Sequence, residues 1–406
     1  MINRTWITCQ TCRSPITARI QIGHEREQRV SFPCPHCGTQ LQLTLVLDEP
    51  PRVKIHWGEN AEPGDTEGII VNIGAGFTIA QDKLHEDRYF PSFDAPRINP
   101  AKLDIPENLP GPIMLDGTVA LGTLPYAEDT WKILERSLRF HRTGQQKNLE
   151  SQLEKFWLGD LWETPPDEDR SLENALFNYF LRFLAPNGLI WFDPLGKTLQ
   201  AAHAENQTEY ARFVGHYDSD LKKERFEAYG GIISEYFRGY GDFSQTLVHA
   251  RFQQPLPDNA VATSSEFERT RMFYGNAFEV LGGHLDVPAA LNNIISGRPF
   301  DKMDAMDLNK FRGLNKANRT KCFSDNVELS WLVAEYDSTI RNASHHRWFK
   351  LDDSRRQITY RSGGTGAVHS MSYAEYLLRC NRLAIQLMML ACLELVLLST
   401  SGRDLS

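Results

Sequence analysis

"CQTCRSPITARIQIGHEREQRVSFPCPHCG", Cys9 to Gly38, decides how the N-terminal part of this chain folds. It holds two Cys-x-x-Cys pairs, Cys9 with Cys12 and Cys34 with Cys37, separated by the 21 residues from Arg13 to Pro33. Each short turn lets two thiolates converge on one side of an ion, and a hairpin between the pairs brings them together. That is the ligand pattern of a tetrahedral zinc site. Four thiolates leave no open coordination position, so the zinc reads as structural and no catalytic metal is expected. Around the knuckles, "ARIQI" and "LQLTLVL" alternate apolar and polar residues with the period of half-buried strands.

These knuckles resemble the zinc ribbon family, with "CPHCG" bearing the glycine that permits the turn, and the ribbon is assigned to residues 1–48. The other cysteines, Cys322, Cys380 and Cys392, lie in apolar helical contexts and read as small hydrophobes in a reducing compartment. Residues 49–125 form a β-rich segment: its prolines exclude a long helix, and "GIIVNIG" and "PIMLDGTVALG" read as strands. Residues 126–170 read as a helical connector carrying "EDTWKILERSLRF" and "NLESQLEKFWLGDLW" and closing in the linker "PPDED". Residues 171–406 are expected to be mainly helical. Within them Ser265 and Glu268 have the spacing of a capping box. Apolar positions from Leu329 to Ala343 predict one amphipathic helix ending near the histidines, and "RRQITYRSGGTGAVHSMSY" predicts a hairpin before a last apolar helix from about Tyr373. The fold class is therefore multidomain: a small β zinc ribbon, a short β-rich segment and a mainly α-helical C-terminal region.

The chain has 406 residues and a formal net charge of -8, the opposite of the balance expected in a dedicated nucleic-acid coat; contact with a polyanion must come from local basic patches. No signal peptide or arginine-rich presequence opens it, so a cytoplasmic location is expected. "LAIQLMMLACLELVLL", Leu383 to Leu398, contains Gln386 and Glu394 and is shorter than the roughly 20 residues of a bilayer span, so it predicts a buried helix and no membrane.

The chemistry-bearing stretch is "AEYDSTIRNASHHRWFKLDD", Ala334 to Asp353. Cleaving RNA without a metal requires taking a proton from the 2′-hydroxyl, protonating the leaving 5′-oxygen and stabilising charge on the phosphorane. Histidine can do either of the first two, and arginine the third. Arg341, then the polar Asn342, then His346 after four intervening residues, near the end of a helix in a helical domain, resembles the HEPN family of RNA-cleaving domains. The resemblance covers the C-terminal third to half of the chain and implies Arg341, Asn342 and His346 as catalytic residues. It also implies a homodimer that brings two such motifs to one cleft. His345 is the second choice for the histidine, since four residues from Arg341 it shares that residue's face of an unbroken helix. Lys310, Arg312, Lys316, Arg319 and Lys321, with Arg347 after the motif, read as an RNA-binding footprint.

The leading reading is a metal-independent endoribonuclease that leaves a 2′,3′-cyclic phosphate and acts, as the resemblance implies, as a toxin-like or antiviral defence effector under an unidentified activating partner or ligand. The alternative is a non-catalytic zinc-ribbon and helical regulator that binds a nucleic acid or a protein. "GAG" at Gly74–Gly76 and "GKT" at Gly196–Thr198 lack the glycines of phosphate-binding loops. His216, Asp220, His284 and Asp286 read as polar groups of helix surfaces rather than metal ligands.

Overall fold

The structure, a computed structural model, describes residues 1–48, 52–90, 124–159, 170–185, 187–323, 325–346, 348–352, 354, 356–363, 365–403 and 405. The strand expected at "PIMLDGTVALG", the "PPDED" linker and Arg347 lie outside the described residues.

The N-terminal part is two small sheets. Strands β1 (Ile2–Cys9) and β2 (Pro15–Gln21) form a hairpin, β3 (Glu27–Pro33) and β4 (Gln40–Leu47) a second one, and a cysteine knuckle closes each. The sheets extend past residue 48. Strand β5 (Val53–Trp57) pairs with β4, while β6 (Ala61–Pro63) flanks β1 and β7 (Ile69–Ile73) runs parallel to β2. Residues 53–73 are thus edge strands of the ribbon and not a unit beside it. The reason is hydrophobic: Ala61, Val71 and Ile73 bury against Ile7, Ile16 and Leu43 in one core that also takes in Cys9 and Cys34.

The helical part is built around one long helix. In chain order the helices are α1 (Ala127–Arg142), α2 (Gln146–Trp157), α3 (Leu172–Phe183), α4 (Asn187–Glu205), α5 (Gln207–Asp220), α6 (Lys222–Arg238) and α7 (Tyr240–Arg251). There follow α8 (Phe273–Gly283), α9 (Asp286–Ile295), α10 (Leu308–Gly313), α11 (Ser338–His345) and α12 (Tyr373–Ser399). Helix α12 is long and apolar enough to cross a membrane, yet 83% of its most apolar stretch is buried, with α3, α4, α6, α7 and α8 packed on it. The expected connector does not stand apart either: Trp131, Leu149 and Trp157 of α1 and α2 belong to the same core as α12.

One buried polar network in that core centres on Glu394. Glu394 of α12 is fully buried; its carboxylate accepts from the hydroxyls of Tyr217 (2.6 Å) and Tyr229 (2.7 Å) and from Nε and Nη2 of Arg225 (2.9 and 2.7 Å). Arg225 also donates to Asp286 (2.7 Å) and to the His284 carbonyl (2.6 Å), and Asp286 takes a further bond from Arg312 (2.8 Å). His284 and Asp286 are therefore buried structural groups, not surface ones.

Two expected helix starts are corrected. The Ser265–Glu268 capping box does not form, because buried Asp242 accepts from the Glu266 backbone N–H (2.6 Å) and so supplies the cap from another helix. The helix expected over Leu329–Ala343 is broken into a turn at Val327–Ser330, a 3-10 turn at Trp331–Val333 and α11, since the Asp337 carboxylate caps Thr339 and Ile340 (2.7 and 3.3 Å). The hairpin expected after it does form, as β10 (Lys350–Leu351), β11 (Gln357–Arg361) and β12 (Val368–Ser372).

The two parts are joined through backbone N–H groups. Ser265 N–H donates to the Ser31 carbonyl (2.8 Å) and Gly74 N–H to the Thr263 hydroxyl (3.0 Å). Between them β8 (Ile79–Ala80) pairs with β9 (Ala260–Val261). Glu25 of the ribbon caps α1, accepting from the N–H groups of Ala127 (3.0 Å) and Glu128 (3.4 Å); burial pushes its carboxyl up to about 8, against those two donors.

Candidate functional sites

The four cysteines meet. Their sulfurs all lie within 4.8 Å of one another, with Cys9 to Cys37 at 3.8 Å and Cys12 to Cys34 at 3.7 Å. Those separations far exceed a disulfide bond but match the ~3.8 Å that follows for thiolates bound tetrahedrally at about 2.3 Å from a shared ion. Four thiolates packed this closely repel one another unless a cation sits among them. The cluster has the donor set and geometry for a metal ion, and among the described residues it is the one group of three or more such side chains placed to hold one.

Both knuckles use the same backbone device. Arg13 N–H returns to the Cys9 carbonyl (2.8 Å) and Gly38 N–H to the Cys34 carbonyl (2.9 Å), and both residues adopt left-handed φ, 59° and 74°. A side chain in that conformation costs about 1–2 kcal/mol. Arg13→Gly should therefore leave the ribbon as stable or slightly more so, while Gly38→Val should lower its melting temperature; equal melting curves for the two variants would refute this account of the knuckles.

In the helical part, α11 presents Arg341, Asn342 and His345. Arg341 Nε donates to Glu279 of α8 (2.6 Å), Nη2 also reaches that carboxylate, and Nη1 donates to Asn342 Oδ1 (2.8 Å). Asn342 in turn donates to the Ser362 hydroxyl (3.0 Å) in the hairpin after α11. Lys316 binds the other Glu279 oxygen (2.7 Å), so this carboxylate, which the sequence reading passed over, gathers both cations; burial opposes its ionisation, but the two partners hold it below the usual carboxylate range.

The helix does not unwind after Ala343. It runs through His345, and His346 is its C-terminal cap residue. His345 therefore stays on the Arg341 face, half-buried, its Nε2 3.2 Å from Asn276 Oδ1. Its ring fits against α8 because residue 275 is glycine, where a Cβ would come within 2.5 Å of it. Burial first, then the charge of Arg341, lowers its pKa below the ordinary imidazole value of 6.5, so it is neutral at neutral pH. His346 is exposed and has no side-chain hydrogen bond or ion pair among the described residues.

The expected RNA footprint at 310–321 is not a continuous surface. Arg319 is buried and donates to the carbonyls of Leu314 and Gly282 (3.2 and 2.8 Å). Arg312 is bound to Asp286 and Lys316 to Glu279, which leaves Lys310 and Lys321 as the exposed members. The charges are spent on folding because the segment has no acids of its own and must take partners from neighbouring helices. His216 and Asp220 pair with each other (2.8 Å) on α5, with Arg312 3.1 Å from the other ring nitrogen.

A second concentration of cations went unnoticed in the sequence. From Arg136 to Leu149 the chain carries Arg136, Arg139, Arg142 and Lys147 with no Asp or Glu, a run visible by simple inspection. Comparison with family models, with curated proteins and with solved structures finds no match to this chain.

Proposed function

We propose that the protein is a metal-independent endoribonuclease whose active centre lies at the C-terminal end of α11. The observation that carries this is the convergence of Arg341 and a neutral, half-buried His345 on one helix face, beside Asn342 and Lys316. His345 takes the proton of the 2′-hydroxyl as that oxygen attacks phosphorus. The bond from phosphorus to the 5′-oxygen breaks, exposed His346 protonates the leaving oxygen, and the product keeps a 2′,3′-cyclic phosphate. Three of the five N–H groups of Arg341 are taken by Glu279 and Asn342, which leaves two for a phosphate oxygen. A second copy paired through the helical region would bring a second such set to the same RNA. The cysteine cluster holds a structural zinc, which fixes the ribbon and takes no part in the reaction.

Purified protein incubated with total cellular RNA in magnesium-free buffer, with its zinc retained, tests this. The wild type should cut and leave cyclic-phosphate ends. Arg341→Ala, His345→Ala and His346→Ala should each lose roughly 10²–10⁴-fold in rate. Because the pKa of His345 is lowered, the limb on which the rate rises with pH should have its midpoint below the ordinary imidazole value of 6.5. The Glu279 ion pair favours a second reading, a binding regulator in which Arg341 is only a tie between α8 and α11. RNA binding by all forms with cleavage by none would select it.

A further inference from the structure

Between the C-terminal half of α1 and the first turns of α6 runs an open groove of about 790 Å³. Arg136, Arg139 and Arg142 line one wall and Lys222 and Lys223 the other, against the carboxylates of Glu135 and Glu227. We propose that this groove binds the phosphate backbone of single-stranded RNA without reading its bases. The inference deepens the ribonuclease reading by placing the substrate strand, and rests on it for the choice of RNA.

Three observations carry it. Arg136, Arg139 and Lys223 are exposed and have no carboxylate within ion-pair distance among the described residues, unlike the cations at 312–319. Of the rest, Lys222 pairs with Asp218 at 2.8 Å and Arg142 reaches Glu227 only at 3.9 Å.

The helix dipole explains part of this and fails on the remainder. Arginines in the last turns of α1 meet the negative end of its dipole, but Lys222 and Lys223 open α6, where the positive end disfavours them. Two helices thus bring cations together where one of them has an electrostatic reason not to. In a chain of net charge -8, such a patch is set up to attract a polyanion.

The floor fits a backbone. It includes Gly230 and Gly231; a Cβ on Gly230 would come within 3.2 Å of Leu138, so glycine lets α1 lie close, and at Gly231 nothing stands within 4 Å. Of the rings lining the groove, Phe226 is buried and offers no stacking platform and His141 is half-buried, so affinity should follow charge more than sequence.

The test is fluorescence anisotropy of a labelled 20-nucleotide RNA of mixed sequence, titrated with full-length His345→Ala protein so that cleavage does not enter. Adding Arg136→Glu, Arg139→Glu and Lys223→Glu should weaken binding at least tenfold and reduce the salt dependence by about 2 in slope, at ~0.7 per lost phosphate contact. The neutral set Arg136→Gln, Arg139→Gln and Lys223→Gln should fall between. Lys54→Glu, Lys197→Glu and Lys302→Glu, the same change in charge elsewhere, should shift affinity less than threefold. Equal losses from the two reversal sets, or no loss from the groove set, would overturn the proposal. So would polyglutamate competing with RNA at equal charge concentration, which would mark the groove as a dock for an acidic protein. Groove variants that bind weakly while the wild type cuts would uphold both readings; a wild type that binds but never cuts would sink the nuclease alone.

Discussion

Glu394→Leu is expected to cost about 3–5 kcal/mol of stability, read as a lower midpoint in urea at unchanged slope. The substitution removes the acceptor of four hydrogen bonds at once, from Tyr217, Tyr229 and two nitrogens of Arg225, all buried. Arg225 would keep Asp286 as a partner but lose half of its neutralisation in the middle of the core. Most of the penalty belongs to the stranded cation and not to the missing carboxylate, so the double variant Arg225→Met with Glu394→Leu should recover a good part of it. Asp286 then retains Arg312. A single-variant loss below about 1 kcal/mol, or a double variant no better than the sum of its singles, would show that water replaces the network and that these groups do not hold α12 against α6.

Loss of the metal is expected to be more severe for the ribbon. Structural zinc contributes about 10–16 kcal/mol of apparent binding free energy in small zinc modules, and here the cysteines are themselves core residues, with Cys9 and Cys34 buried among Ile7, Ile16 and Phe32. Cys34→Ser, or stripping the wild type with a strong chelator, should abolish the ordered near-ultraviolet signal of the β part and take metal content from one ion per chain to none. Cys392→Ser, which changes a cysteine buried in α12 away from the cluster, should leave metal content at one. Because residues 260–265 are hydrogen-bonded to the ribbon and Glu25 caps α1, the helical part should also melt earlier once the ribbon is lost. Full metal content in Cys34→Ser would refute the four-cysteine site.

The local signals in the chain were those whose geometry closes within a few residues. The Cys-x-x-Cys turns, the alternation of β1 to β4 and the hairpin at 357–372 each depend on neighbours in sequence, so they can be read without knowing what lies across the fold. Sequence periodicity also placed Arg341 and His345 on one helical face, as observed in α11. How His345 is held was not legible, because its ring is fixed by Asn276 and by the space beside Gly275. No pattern within α11 could report that.

Charge was the least legible property. Five cations between Lys310 and Lys321 looked like a surface, yet Arg312, Lys316 and Arg319 are bound to Asp286, Glu279 and backbone carbonyls contributed by α8 and α9 or the loops beside them. The run from Arg136 onward is the one that stays exposed, next to lysines more than 80 residues away that the fold brings to it. Sequence by itself determined the four-cysteine cluster, the strands around it, the mainly helical character of the C-terminal region and the residue types at the end of α11. Tertiary structure alone decided which carboxylate neutralises which cation, that strands β5 to β7 complete the ribbon, and that Asp242 and Glu25 cap helices to which they do not belong. Desolvation explains the division: a buried charge or an open helix end takes whatever partner the fold brings within about 3 Å, and sequence distance places no limit on where that partner comes from.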